Sequence, residues 1–165
     1  MFSNQAQNKG IRLSWFIVER LPSLDPEINS SYQIGPNSDR LPKLWGDSRR
    51  LLQVLINLVK NALKFTNGGY IFINTLYCEE QESLIVHVED SGVGISQEEM
   101  PRLFKKFGKM KRTAAMNNDG IGLGLLIVKQ IVKNFNGSVI AKSSGPDHGS
   151  VFAFSMQMKS IGQQQ

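Results

Sequence analysis

Residues 47–65, DSRRLLQVLINLVKNALKF, constrain the fold of this chain more than any other stretch. Leu51, Leu55, Leu58, Val59, Ala62 and Phe65 recur at helical spacing, so one face of a helix opening at Asp47 and Ser48 lies on a core. Asn57, Asn61 and Lys64 stand at i, i+4 and i+7, stacked on a second face. Asn is a mediocre helix former because its side chain competes for backbone hydrogen bonds. Two such residues one turn apart need a reason. Amide oxygens are hard ligands suited to Mg²⁺, which keeps several waters and takes few protein ligands beside phosphate oxygens. The bland alternative is that they satisfy buried backbone or join two helices.

The rest of the chain alternates between strand and helix signals. GIRLSWFIVE at 10–19 is rich in β-branched and aromatic residues and reads as a strand. Residues 21–46 are mainly connection, with a short strand near SSYQI. The long helix stops at TNGG. YIFINTLY and SLIVHVE form a strand pair across CEEQE. A capping box of Ser96 and Glu99 opens a short helix running toward Phe107. Residues 108–119 lack both periodicities and read as a mobile loop. A second long helix follows GIGLG and closes at Asn136-Gly137, and SVIAKSS and SVFAFSM make a last hairpin. The hairpins imply a mixed sheet with helices on one face. One domain is expected at 10–157, with residues 1–9 as a remnant of an upstream region and 158–165 as a disordered tail.

Bulk properties narrow the setting. No apolar run reaches the roughly 18–20 residues needed to cross a bilayer, and the start lacks the regions of a signal peptide. The lone Cys78 excludes an internal disulfide framework. A cytoplasmic location is expected, free or as the cytosolic part of a membrane-anchored receptor. The net charge is +5, with Lys105, Lys106, Lys109, Lys111 and Arg112 clustered in LFKKFGKMKRT. Such a cluster suits nucleic acid, an anionic surface or a polyphosphate. No aromatic ladder accompanies it, so no nucleic-acid partner is expected.

Two glycine loops add chemistry. DGIGLGL at 119–125 opens a helix, where free backbone N–H groups and the helix dipole favour an anion; a plain loop of small residues is the alternative. A Rossmann site would need a strand directly before the glycines, and a P-loop would need Lys-Ser or Lys-Thr after one. In EDSGVGIS at 89–96, Asp90 ends an apolar strand before Gly92 and Gly94. Asp90 either caps its own turn or accepts a hydrogen bond from an exocyclic amine, with the glycines admitting a flat ring.

In order and spacing these pieces resemble the ATP-binding catalytic domain of sensor histidine kinases, within the superfamily that includes type II topoisomerase, heat-shock chaperone and mismatch-repair ATPases. NLVKNALKFTNGG is similar to its N box, EDSGVGIS to its first glycine box, LFKKF to its F box and GIGLGLLIVKQIVKNFNG to its second glycine box. The resemblance covers roughly residues 10–157 and implies a two-layer α/β sandwich: a mixed, largely antiparallel sheet on about three helices, with a mobile lid over ATP. It implies that Asn61 ligates Mg²⁺, that Asn57 supports the phosphates or a metal-bound water, and that Lys64 meets the phosphates. These three would be the catalytic set. Phe65 would pack beside the adenine, and Asp90 would accept from its amine within a wall shaped by Gly92, Gly94 and Ile95. Gly120, Ile121, Gly122, Leu123, Gly124 and Leu125 would present backbone to the phosphates. Phe104 and Phe107 would anchor the lid, Lys109, Lys111 or Arg112 would close on the γ-phosphate, and Ser150 would complete the nucleotide contacts.

The implied partners are a separate domain carrying the phosphoacceptor histidine and a downstream receiver domain. Two other readings stay open, an ATP-hydrolysing relative and an ATP-sensing module without catalysis. The chain departs from the family pattern at Ile121, where Thr or Ser is usual, and at Lys105 and Lys106, where an acid and a proline are usual. Its two histidines, His87 in a strand and His148 in a turn, read as structural or exposed.

Overall fold

The computed structural model describes residues 2–18, 41–105 and 122–161. The expected strand near SSYQI and the loop at 108–119 lie outside these residues. Helix α1 (Phe2–Asn8) leads into strand β1 (Ile11–Ile17). A two-residue strand, β2 (Leu44–Trp45), precedes helix α2 (Ser48–Phe65). Strands β3 (Gly69–Cys78) and β4 (Ser83–Asp90), helix α3 (Gly124–Asn134), and strands β5 (Val139–Lys142), β6 (Ser150–Gln157) and β7 (Lys159–Ser160) complete the order.

The main sheet runs β1-β3-β4-β6-β5. β1 lies parallel to β3, and the other neighbours are antiparallel. Strand alternation divides β4 cleanly: Leu84, Val86 and Val88 face the helices, where they meet Val54, Leu58 and Ala62 of α2 and Val128 and Val132 of α3 in the main core. Ile85, on the opposite side, joins Leu76, Cys78 and Ala153 in a second, smaller core. The expected sandwich of a mixed sheet and three helices is therefore present.

Both ends of α2 follow from local chemistry. Asp47 Oδ1 accepts from Arg49 N at 3.0 Å and Arg50 N at 3.1 Å, an N-cap that satisfies two orphan donors. Thr66 is already extended, and Gly68 and Gly69 take φ of +97° and +101°, which turns the chain directly into β3. The expected helix from Ser96 is shorter than its signals suggest. Glu99 does reach back to Ser96 N (3.2 Å) and Oγ (3.0 Å), but only a 3₁₀ turn forms, Met100–Arg102. Pro101 has no N–H to give, and Leu103 and Lys105 close i+3 bonds to Met100 and Arg102.

Two elements fall outside the expected 10–157 unit. α1 buries Ala6 and packs Phe2 on the main core. β7 pairs with β2, Leu44 opposite Ser160 and Trp45 opposite Lys159, inside the stretch expected to be disordered. No helix among the described residues is long and apolar enough to cross a membrane.

Candidate functional site

The carboxyl end of β4 delivers Asp90 to the junction of sheet and helices. Its side chain is buried, 5% exposed, and both oxygens are held. Oδ1 accepts from Gly92 N at 2.9 Å, and Oδ2 accepts from the Ser150 hydroxyl at 2.6 Å. Burial raises the pKa of this carboxyl above its ordinary value, while the bonds from Ser150 and Gly92 pull it back down. The turn beside it is tight enough to require glycine. A Cβ on Gly92 would collide with the Phe65 carbonyl and stand 2.8 Å from Asp90 Oδ1. Gly94 takes a φ of +64° against the Gly145 carbonyl. Val93 N donates to Phe65 O at 3.0 Å, so the end of α2 and the Asp90 loop are one unit.

Ile95 lies deeper than a wall residue. It is 3% exposed in the main core, and its N–H donates to Ser143 Oγ at 3.0 Å. Phe104 packs edge-on to Phe152, centroids 6.5 Å apart. Phe65 packs on the core and carries the Lys64 ammonium 5.3 Å from its ring centroid.

The two stacked amides of α2 behave differently. Asn57 Nδ2 donates to the Gln53 carbonyl at 2.9 Å, one turn back. A carbonyl accepts only from the amide nitrogen, so the oxygen must point the other way. It lies by the start of α3, where a Cβ on Gly124 would stand 3.1 Å from it. Gly124 therefore lets α3 approach α2 at the polar stripe. Asn61, half-buried one turn further on, makes no side-chain hydrogen bond to another described residue. Gly122 takes a φ of +76°, Leu123 precedes the first turn of α3, and Leu125 packs on the core. No cluster of three or more His, Cys, Asp or Glu side chains occurs among the described residues. A hard cation at α2 would thus rely on amide and phosphate oxygens, which fits the donor set. Phe107, Lys109, Lys111, Arg112, Gly120 and Ile121 lie outside the described residues.

Three polar groups here carry no motif signature. Ser143 Oγ gathers Ile95 N, the Gly149 carbonyl (2.6 Å) and the Gly145 carbonyl (3.1 Å), fixing the β5–β6 turn beside Asp90. Thr66 is wholly buried one residue beyond Phe65, and its Oγ1 has no hydrogen-bond partner. Lys9 reaches the end of α2 from the far side of the sequence. The turn composition KSSGPDHGS signals a tight loop around Ser143, but nothing local signals the other two.

Known proteins show the same arrangement. The family model described as "Histidine kinase-, DNA gyrase B-, and HSP90-like ATPase" matches residues 46–160. Hybrid signal transduction histidine kinase L of Dictyostelium discoideum is 35% identical over 161 residues, 95% of this chain but 8% of that protein. Adaptive-response sensory kinase SasA of Synechococcus sp. (strain CC9311) is 39% identical over 117 residues, 70% of this chain and 30% of the relative. Among solved structures, full-length ShkA in complex with AMPPNP superposes with a TM-score of 0.73 at 25% identity, covering 98% of this chain and 28% of that one. The catalytic domain of histidine kinase ThkA gives 0.65 at 26% identity, covering 94% and 85%. The chain spans a small part of the length of the curated relatives it matches. With a buried carboxylate, two glycine loops and an amide-bearing helix in the family's order, this chain belongs to the histidine kinase-, DNA gyrase B- and HSP90-like ATPase family, on a branch whose named relatives are sensor and hybrid histidine kinases.

Proposed function

We propose that this chain is the ATP-binding catalytic part of a histidine kinase. It holds Mg²⁺·ATP and presents the γ-phosphoryl group to a histidine on a separate phosphoacceptor domain, from which a receiver domain takes it. The observation that carries the reading is the chemistry at Asn57. In the hydrolysing relatives the position one turn before the metal-binding Asn is typically a Glu that activates water. Here an amide stands there, tied to the Gln53 carbonyl. An amide cannot accept a proton at neutral pH and cannot act as general base, a role typically worth about 10²–10⁴-fold in rate.

The roles divide as follows. Asp90 accepts from the adenine amine, and Gly92, Gly94 and Phe65 shape the space beside it. Asn61 offers an uncommitted amide oxygen to Mg²⁺, which when bound neutralises phosphate charge. Asn57 and the N-terminus of α3 orient the phosphates. In transfer, the bond from the γ-phosphorus to the β,γ-bridging oxygen breaks, a bond from phosphorus to an imidazole nitrogen forms, and ADP departs.

The chain's own histidines do not fit the acceptor role. His87 is wholly buried, and burial, helped by Lys142, lowers its pKa to about 4. His148 is exposed, but its Nδ1 bonds the Pro146 carbonyl at 2.7 Å.

The test is to incubate the pure chain with γ-labelled ATP, alone and with a histidine-bearing dimerisation domain from a related kinase. Acid-labile label is expected on the added domain and none on the chain alone. Steady turnover of several ATP per minute by the chain alone, lost in Asn61→Ala, would favour the ATP-hydrolysing alternative.

A further inference from the structure

A cation sits where α2 ends, and it comes from the other end of the chain. Lys9 follows α1 directly. Its Nζ donates to the Leu63 carbonyl at 2.8 Å and to the Thr66 carbonyl at 3.3 Å, with the Lys64 carbonyl and Asn67 Oδ1 each at 3.5 Å. The last carbonyls of a helix have no partner within it and carry the negative end of its dipole, so an ammonium there is favoured twice. The contact is long-range, 54 residues apart in sequence for the Leu63 bond.

The helix end that Lys9 holds is also the end that supports the Asp90 loop. Phe65 lies between Leu63 and Thr66, and its carbonyl accepts from Val93 N and abuts Gly92, whose N–H in turn holds Asp90. The last turn of α2 is thus pinned from one side by Lys9 and pins the base-binding carboxylate on the other. The other end of this relay is set by α1. Ala6 is buried and Phe2 packs on the main core, while Gly10, at a φ of +63°, turns the chain from α1 into β1. Lys9 holds its place over α2 only while α1 is docked. The residues matching the family model begin at 46, so this device lies outside them.

We propose that Lys9 is a positioning residue for the nucleotide site and couples docking of α1 to ATP affinity. The inference rests on the proposed role of Asp90 in binding ATP. Coupling of this kind is reciprocal: if docked α1 favours nucleotide, nucleotide favours docked α1. A displacement of α1 by whatever precedes it would then weaken nucleotide binding without touching any group that contacts the ligand.

The test uses the full chain and AMPPNP with Mg²⁺. Dissociation constants are measured for wild type, Lys9→Met and Lys9→Arg at a temperature where thermal melts show all three fully folded. Lys9→Met is expected to bind about three- to ten-fold more weakly, and Lys9→Arg, which keeps the charge and its donors, within about two-fold of wild type. Hydrogen exchange supplies the second reading and needs no variant: saturating nucleotide is expected to slow exchange of the Lys9 and Gly10 amides, which bond the Ala6 and Gln7 carbonyls. A purely structural cap would lower the melting temperature of Lys9→Met and leave both its affinity and the nucleotide protection of α1 unchanged. That outcome overturns the inference. Failure of wild type to bind AMPPNP would instead overturn the proposed function.

Discussion

At the Asp90 end of the proposed nucleotide site, both carboxylate oxygens already have protein donors, Gly92 N and Ser150 Oγ, and the side chain is sealed from water. At the α2 end, Asn61 is half-buried with no side-chain hydrogen bond to a described residue, and Asn57 has committed only its nitrogen. The base end is a finished socket. The phosphate end is a set of aimed but uncommitted oxygens and backbone groups. A fixed buried acceptor discriminates between bases, because a base lacking the amine leaves a desolvated carboxylate short of a donor. An open set of ligands suits a hydrated cation and phosphates that must shift as a bond breaks.

The largest effect should come from breaking the socket. Asp90→Ala removes a charged acceptor, a loss of about 1.5–3 kcal/mol, or roughly 10- to 100-fold in ATP affinity. Titration with a fluorescent ATP analogue checks it, and unchanged affinity in a folded variant would sink the assignment. Asp90→Asn sharpens the contrast. A group whose pKa is raised by folding favours the native state at low pH and ceases to as pH rises through its folded value. Ionised Asp90 is therefore a burden on the empty protein at neutral pH. An Asn could still accept from Gly92 N and donate to the Ser150 oxygen. Asp90→Asn is expected to bind ATP more weakly yet melt at a higher temperature than wild type at pH 7; a lower melting temperature would refute that account.

A smaller and more selective effect is expected at the open end. Asn61→Ala should weaken binding about 10-fold when Mg²⁺ is present, and leave the weaker metal-free binding in EDTA nearly unchanged. Equal losses in both conditions would assign Asn61 to packing or to direct phosphate contact.

How much of this was legible in the sequence follows the same division between local and distant causes. α2, its Asp47 cap and its stop at TNGG, the β3–β4 pair and the glycine that opens α3 are written in spacing and in backbone needs of neighbouring residues. Asp90 could be read because a carboxylate ending an apolar strand before two glycines is a local pattern. Ser96 and Glu99 formed their capping box, but Pro101 limited what followed to a 3₁₀ turn, a competition that signals alone do not rank. Ile95 was placed in the nucleotide wall and is a core residue, because a loop position shows its burial only once β5 and β6 are folded beside it. Lys9 and Ser143 act on residues roughly 50 positions away, and the β2–β7 pair joins two-residue strands too short to show a period.

The smallest expected effect tests whether the socket works by position or by charge. Ser150 does not reach ATP in the proposed arrangement; it acts through Asp90. Its hydroxyl bond to Oδ2 lowers the carboxyl pKa against the upward pull of burial. Removing one such bond is worth about 0.5–1.5 kcal/mol, so Ser150→Ala should bind ATP roughly 2- to 10-fold more weakly at neutral pH. The pH dependence is the sharper reading. Burial then acts with less opposition, Asp90 takes up a proton at higher pH, and the ionised acceptor is lost earlier as the solution is acidified. Affinity measured from pH 8 downward should fail at a higher pH in Ser150→Ala than in wild type. Two profiles displaced in magnitude but failing at the same pH would mean that Ser150 only aims the carboxylate and does not tune its charge.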